Sequence, residues 1–199
     1  MNHYFTNDAS VQSDPISIPF WCGTKCLTFL TDHGVFSYKE IDDASLKMVQ
    51  KTQRPSGDVL DLGCGYGFVG IYLKTKYPEI QLTQSDVNER AIKLCKQNCQ
   101  INNIDSTVLV SDGFNEMKDS FDYIYLNPPI HAGKDLCRRL IDQALSHLNE
   151  NGCVVVVIRK KHGAKSYIKW FEDQHYNYSM LDKKDDIYVI SLQKDMADI

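Results

Sequence analysis

The stretch Val59 to Gly70, VLDLGCGYGFVG, constrains this chain more than any other. An apolar run (Val59, Leu60, Leu62) holds one acid, Asp61, and then breaks into glycines at 63, 65, 67 and 70. Such a run reads as a buried strand that turns sharply into a helix. Glycine lets the backbone take positive φ and lets a ligand lie against it with no Cβ in the way. Four glycines exceed the needs of one tight turn, so the segment predicts a cradle for a small molecule.

The spacing alone leaves the ligand open. Gly65, Gly67 and Gly70 fit G-x-G-x-x-G, and Asp86 follows at about the distance expected of a dinucleotide fold. Asp61 discriminates. A carboxylate just before the glycines suits a cationic ligand with an ammonium group and repels a pyrophosphate. S-adenosylmethionine (SAM) has an ammonium, a sulfonium and no phosphate. With its acid followed by G-x-G-x-G, the segment resembles the SAM-binding signature of class I methyltransferases. That makes Asp61, Gly63, Cys64, Gly65 and Gly67 candidate cofactor residues.

The pattern that follows alternates strand and helix. Strands are predicted over 59–62, 80–85, 106–110, 121–126 and 153–159, and helices over 68–77, 89–102, 135–148 and 165–173. Two further strands, 176–181 and 187–192, flank the turn-like KKDD. Such units imply a parallel sheet with helices on both faces. The expected fold class is therefore α/β and Rossmann-like. By resemblance to class I methyltransferases it is a mostly parallel seven-stranded sheet closed by a C-terminal antiparallel hairpin. Residues 1–52 read as an N-terminal arm: irregular over 1–26, extended near 27–29 and 35–36, and helical over 44–52. Residues 53–199 read as one globular unit.

Composition narrows the class further. The longest wholly apolar run, Cys153 to Ile158, is too short to span a membrane. The N-terminus lacks a basic start followed by an apolar stretch, which predicts a cytoplasmic protein. Seven cysteines without a CxxC pair predict reduced thiols and no metal site. A net charge of −4 argues against tight, non-specific binding of duplex nucleic acid and leaves room for a local basic patch.

Ligands of open α/β sheets bind at the carboxyl ends of the strands. Asp86, with Val87 beside it, ends one predicted strand and is placed to accept hydrogen bonds from both ribose hydroxyls. Asp112-Gly113 ends the next, where the class has an acid that meets the adenine amino group. Asn127-Pro128-Pro129 follows the 121–126 strand. An Asn before two prolines neither continues a ladder nor starts a helix, so it makes a rigid corner. That corner presents the Asn oxygen and a backbone carbonyl, two acceptors able to grip the N–H bonds of a planar amine. Transfer is then an in-line displacement catalysed by positioning.

NPP after this strand marks methyltransferases acting on adenine, guanine or glutamine nitrogen, the adenine and glutamine enzymes usually placing an aromatic residue next. Here Ile130 follows, in NPPIHAGK. With TFLTDHGVFSYKEID upstream and VIRKKHGAKS after the 153–159 strand, the chain resembles the small-subunit ribosomal RNA guanine-N2 methyltransferase family. It looks closest to the short single-domain bacterial members, over residues 27 to 193. The resemblance implies that Gly34-Val35-Phe36-Ser37 packs beside the pocket, with Phe36 at the cofactor. It makes Asn127, Pro128, Pro129 and Ile130 catalytic, and the partner RNA or a small-subunit particle. His131, Lys134, Arg159, Lys160 and Lys161 are candidate RNA contacts, within a rim extended by Arg138, Arg139 and Lys165. Two positions depart from the family: Asp43-Ala44 replaces aromatic-Gly before Ser45, and His131 replaces an arginine. Three alternatives stay open: adenine-N6 transfer, protein glutamine transfer, and a SAM- or RNA-binding module without catalysis.

Overall fold

The structure, a computed structural model, describes residues 12–193; the expectations for residues 1–11 and 194–199 lie outside it. Strands β3 (Asp58–Leu62), β4 (Gln81–Asp86), β5 (Thr107–Val110), β6 (Phe121–Leu126) and β7 (Leu148–Arg159) run parallel. Strands β8 (Asn177–Asp182) and β9 (Ile187–Gln193) complete one seven-stranded sheet of order β5-β4-β3-β6-β7-β9-β8. Only β9 runs against the rest, because a hairpin returns it between β7 and β8.

Helices carry the crossovers from β3 to β4, β4 to β5, β6 to β7 and β7 to β8, while β5 reaches β6 through turns alone. One face of the sheet is covered by α1 (Asp43–Lys51), α2 (Phe68–Lys76) and α3 (Glu89–Asn102), which share a core cluster with Val59, Tyr125 and Val155. The other holds α4 (Lys134–Ser146) and α5 (Ala164–Asp173), packed on Leu60, Ile124 and Val156. Consecutive residues of the central strands thus bury on opposite faces, which explains the unbroken apolar run Cys153–Ile158 in β7. Helix α3 matches its sequence expectation because its ends are marked locally. The Asn88 side chain accepts from the Arg90 and Ala91 amides, and Asn103 closes the helix in the left-handed region at φ 55°.

The N-terminal segment differs from expectation. Instead of an irregular stretch, β1 (Ile16–Cys22) and β2 (Lys25–Thr31) form an antiparallel hairpin. Ile16, Ile18, Phe20 and Cys22 alternate inward while Trp21 stays 67% exposed. Pro19 is tolerated because β1 is an edge. The piece expected to be extended at 35–36 is instead a chain of turns. Asp32 ties the backbone there, accepting from the amides of His33 and Asp14, both at 2.7 Å. Gly34 at φ 78° and Ser37 at φ 59° then forbid a strand.

Two asparagines one turn apart on α3 hold the hairpin. Asn98 accepts from the Leu30 amide and donates to the Leu30 and Tyr66 carbonyls. Asn102 repeats the exchange with Thr28. Their amides stand in for a neighbouring strand, and the Tyr66 bond fastens the same unit to the glycine turn.

Candidate functional site

A cavity of about 380 Å³ opens at the carboxyl ends of β3, β4, β5, β6 and β7. The glycines after β3 divide the work. Gly63 and Gly65 take φ of 71° and 56°, and a Cβ at either would meet nothing within 4 Å, so their backbone faces open space. That is the cradle a cofactor requires. Gly67 and Gly70 serve packing instead. A Cβ on Gly67 would come within 2.7 Å of Cys95 Sγ, and one on Gly70 would overlap the Gln84 amide. Gly67, expected to bind cofactor, starts α2 against α3 and is not among the residues lining the cavity.

Four acids line the cavity: Asp42, Asp61, Asp86 and Asp112. Asp61 is 3% exposed and accepts the Gly70 amide at 2.9 Å. Burial pushes its carboxyl up to about 7, with the nearby Asp86 charge adding to the effect. Asp86 accepts from Gly65 N with Oδ2 and from Asn88 N with Oδ1, each at 2.8 Å. Burial raises its carboxyl too, and those amides restrain the rise. It therefore clamps the glycine turn while facing the cavity beside Val87. Asp112 is exposed at the rim with Arg139 at 3.8 Å, while Gly113 turns at φ 58°. These groups fit SAM: the buried Asp61 and half-buried Asp86 carboxyls for its ammonium and hydroxyls, against bare backbone.

Cys64 also lines the cavity, its thiol pushed up to about 12 by burial. It is no nucleophile at neutral pH. All seven cysteines are free, and Cys95 and Cys99 lie buried on the inner face of α3.

The corner after β6 lies at the same cavity. Asn127 Nδ2 donates to Asp42 Oδ2 at 3.1 Å and to Ser45 Oγ at 3.0 Å. Its Oδ1 has no partner among the described residues. The Pro128 carbonyl is taken by the Ile130 amide at 2.8 Å, which starts a short 3-10 turn over Ile130–Ala132. Val35, Phe36, Ile130 and His131 complete this end of the wall.

The basic residues divide unexpectedly. Arg159 is expected to face RNA, yet its guanidinium bridges Asp42 at 2.8 Å and Asp43. Lys160 pairs with Asp186 at 3.0 Å. Both are neutralised by acids distant in sequence, a pairing that no local motif announces. Lys134 and Lys161 stay exposed outside the cavity, Lys134 reaching Ser166 Oγ at 3.5 Å. Rings of His131 and His162 meet edge to face, centroids 5.8 Å apart. Burial and the neighbouring Lys161 lower the His162 pKa, so that ring is neutral at pH 7. Sequence reasoning missed Asp42 and Ser45. The signal existed: an acid before an amphipathic run is a helix N-cap, and Asp42 accepts the Ser45 amide at 2.7 Å.

A glycine turn clamped by buried acids, at the carboxyl edge of a sheet with one reversed strand, is the architecture of the class I SAM-dependent methyltransferases. The protein is an enzyme of that class. A family model, the methyltransferase small domain, matches residues 26–191, and the chain belongs to that family. The uncharacterized protein YbxB of Bacillus subtilis (strain 168) is 35% identical over 96% of this chain and 98% of its own length. Ribosomal RNA small subunit methyltransferase C of Haemophilus ducreyi is 40% identical over 66% of this chain and 42% of its own. The chain thus spans less than half of that enzyme. Among solved structures, the 16S rRNA N2 G1207 methyltransferase of T. thermophilus, in complex with AdoMet and guanosine, superposes with a TM-score of 0.78. The match covers 94% of this chain and 52% of that one, at 20% identity. Among the described residues no helix is long and apolar enough to cross a membrane, and no His, Cys, Asp or Glu group is arranged to hold a metal.

Proposed function

We propose that this protein methylates the exocyclic N2 amine of a guanine in ribosomal RNA, acting in the cytoplasm on RNA or a small-subunit particle. The observation that carries the reading is the Asn127 side chain at the cavity wall, whose nitrogen is engaged by Asp42 and Ser45 and whose oxygen has no partner among the described residues. SAM, when bound, supplies an electrophilic methyl group. Asp61, Asp86 and the Gly63–Gly65 backbone hold it. Asn127 Oδ1 accepts an N–H of the base amine, which aims the nitrogen lone pair at the methyl, and Pro128 and Pro129 keep that acceptor rigid. The amine loses its extra proton to water after transfer.

Ile130 favours guanine over the adenine and glutamine readings, since an aliphatic residue packs on a base without the aromatic platform of those enzymes. The names of the relatives support the same choice. A base must leave its stack to present this amine, so an unpaired or flipped guanosine is the substrate. Exposed His131, Lys134 and Lys161 contact its flanking phosphates, fixing register rather than sequence. In this reading the arm (1–52) and the core (53–199) act as one unit. The test is transfer of tritiated methyl from SAM to unmodified ribosomal RNA and to small subunits, with nucleoside analysis of the product. N2-methylguanosine is the expected product. Label in N6-methyladenosine or in protein glutamine overturns the base assignment, and cofactor binding without transfer favours the non-catalytic module.

A further inference from the structure

We propose that Asp42 is a positioning residue that fixes which end of the Asn127 side chain faces the substrate. The inference rests on Asn127 as the acceptor for a planar amine, not on which base carries that amine.

The two ends of a carboxamide are nearly isosteric, so its neighbours decide which way it points. Ser45 Oγ, at 3.0 Å from Asn127 Nδ2, does not discriminate, because a hydroxyl both donates and accepts. Asp42 does. A carboxylate only accepts, and its Oδ2 lies 3.1 Å from Asn127 Nδ2. Turning the amide over would set two acceptor oxygens against each other and leave an NH2 group toward the cavity. An NH2 group donates, so it holds no N–H of an incoming amine. Asp42 therefore makes Asn127 an acceptor on the side where chemistry needs one.

The carboxylate is itself held from three directions. Its Oδ2 caps α1 through the Ser45 amide at 2.7 Å and also receives Asn127. Its Oδ1 receives Arg159 Nη2 at 2.8 Å from the end of β7. Arg159 binds Asp43 as well, and that ion pair holds the Asp43 carboxyl below the usual range. The bracket joins the arm, the end of β6 and the end of β7 at one side chain. It also gives Asp43, where the family has an aromatic residue, a use: it is the second anchor for Arg159.

The test compares Asp42→Asn with Ser45→Ala. Asparagine keeps the shape and the helix cap but presents an amide that no longer dictates polarity. For Asp42→Asn the expected result is a kcat at least about tenfold lower, with KM for SAM and the melting temperature close to wild type. For Ser45→Ala the expected loss is under about threefold, since the discriminating acceptor remains. A kcat within about twofold of wild type in Asp42→Asn overturns the proposal. So does a parallel loss of cofactor affinity, which marks a merely structural role.

A second readout is independent of turnover. The Asn127 side-chain NH2 pair, assigned by its disappearance in Asn127→Asp, is expected to exchange slowly and to contact the Ser45 β protons in a 15N-edited NMR spectrum. Fast exchange in the wild type, or slow exchange retained in Asp42→Asn, overturns the inference. If the wild type methylates adenine or glutamine, the guanine assignment falls, and the Asp42 comparison is then read on that substrate.

Discussion

Asp61 is expected to make SAM binding pH-dependent. Its carboxyl is 3% exposed, has one amide donor at 2.9 Å and is pushed up to about 7. A cationic ligand beside it stabilises the ionised form, so binding displaces the proton. With the carboxyl near 7 when free and ionised throughout this range when complexed, SAM affinity falls about 25-fold as pH drops from about 7.5 to about 5.5. Near pH 7 about half a proton is released per ligand bound. Calorimetric titration in buffers of different ionisation enthalpy measures both quantities. Asp61→Asn is expected to flatten the profile and to weaken binding at pH 7.5 by roughly 10- to 100-fold, the worth of one charge-assisted hydrogen bond.

The sign of the stability effect is opposite. A folded-state carboxyl raised above its unfolded value stabilises the ligand-free protein below about pH 4, and that contribution is lost as pH rises through about 7. Asp61→Asn, which still accepts the Gly70 amide, is therefore expected to raise the melting temperature of the ligand-free protein at pH 8. The gain has an upper limit on the order of 4 kcal/mol. Wild-type affinity independent of pH, or the same pH dependence in Asp61→Asn, would falsify the assignment.

The glycines separate by what they lose. Gly63→Ala keeps the fold at a cost of about 1 kcal/mol for its positive φ, while its methyl enters the cradle and weakens SAM binding; a thermal shift and a binding isotherm read the two effects. Gly70→Ala overlaps the Gln84 amide and is expected to lower stability by about 1–3 kcal/mol in urea unfolding, with cofactor affinity of the folded fraction retained. Asn98→Ala removes the Leu30 and Tyr66 bonds from a fully buried site, for a loss of about 2–4 kcal/mol. Hydrogen exchange is then expected to rise first in the 16–31 hairpin. Lys161→Glu with Lys134→Glu is expected to weaken RNA binding and shallow its salt dependence, leaving SAM affinity unchanged.

The parts that the sequence made legible share a physical property: their signals are local. The β3 turn, the span of α3 and the Asn127-Pro128-Pro129 corner depend on residues within one or two turns of each other, so spacing alone reveals them. The hairpin was misread because its inward faces are only half buried and Pro15 and Pro19 masked their alternation. The ion pairing of the basic rim was not legible for a different reason. Whether a lysine or arginine is free depends on which carboxylate meets it, and Arg159 meets Asp42 across 117 residues. Lys160 likewise meets Asp186. The arginine expected to hold RNA phosphate instead steadies the acid that turns Asn127 toward the cavity. Under the proposed role of Asp42, this charge also serves the geometry of the transfer step. Loss of Arg159 is therefore expected to appear in kcat before it appears in RNA binding.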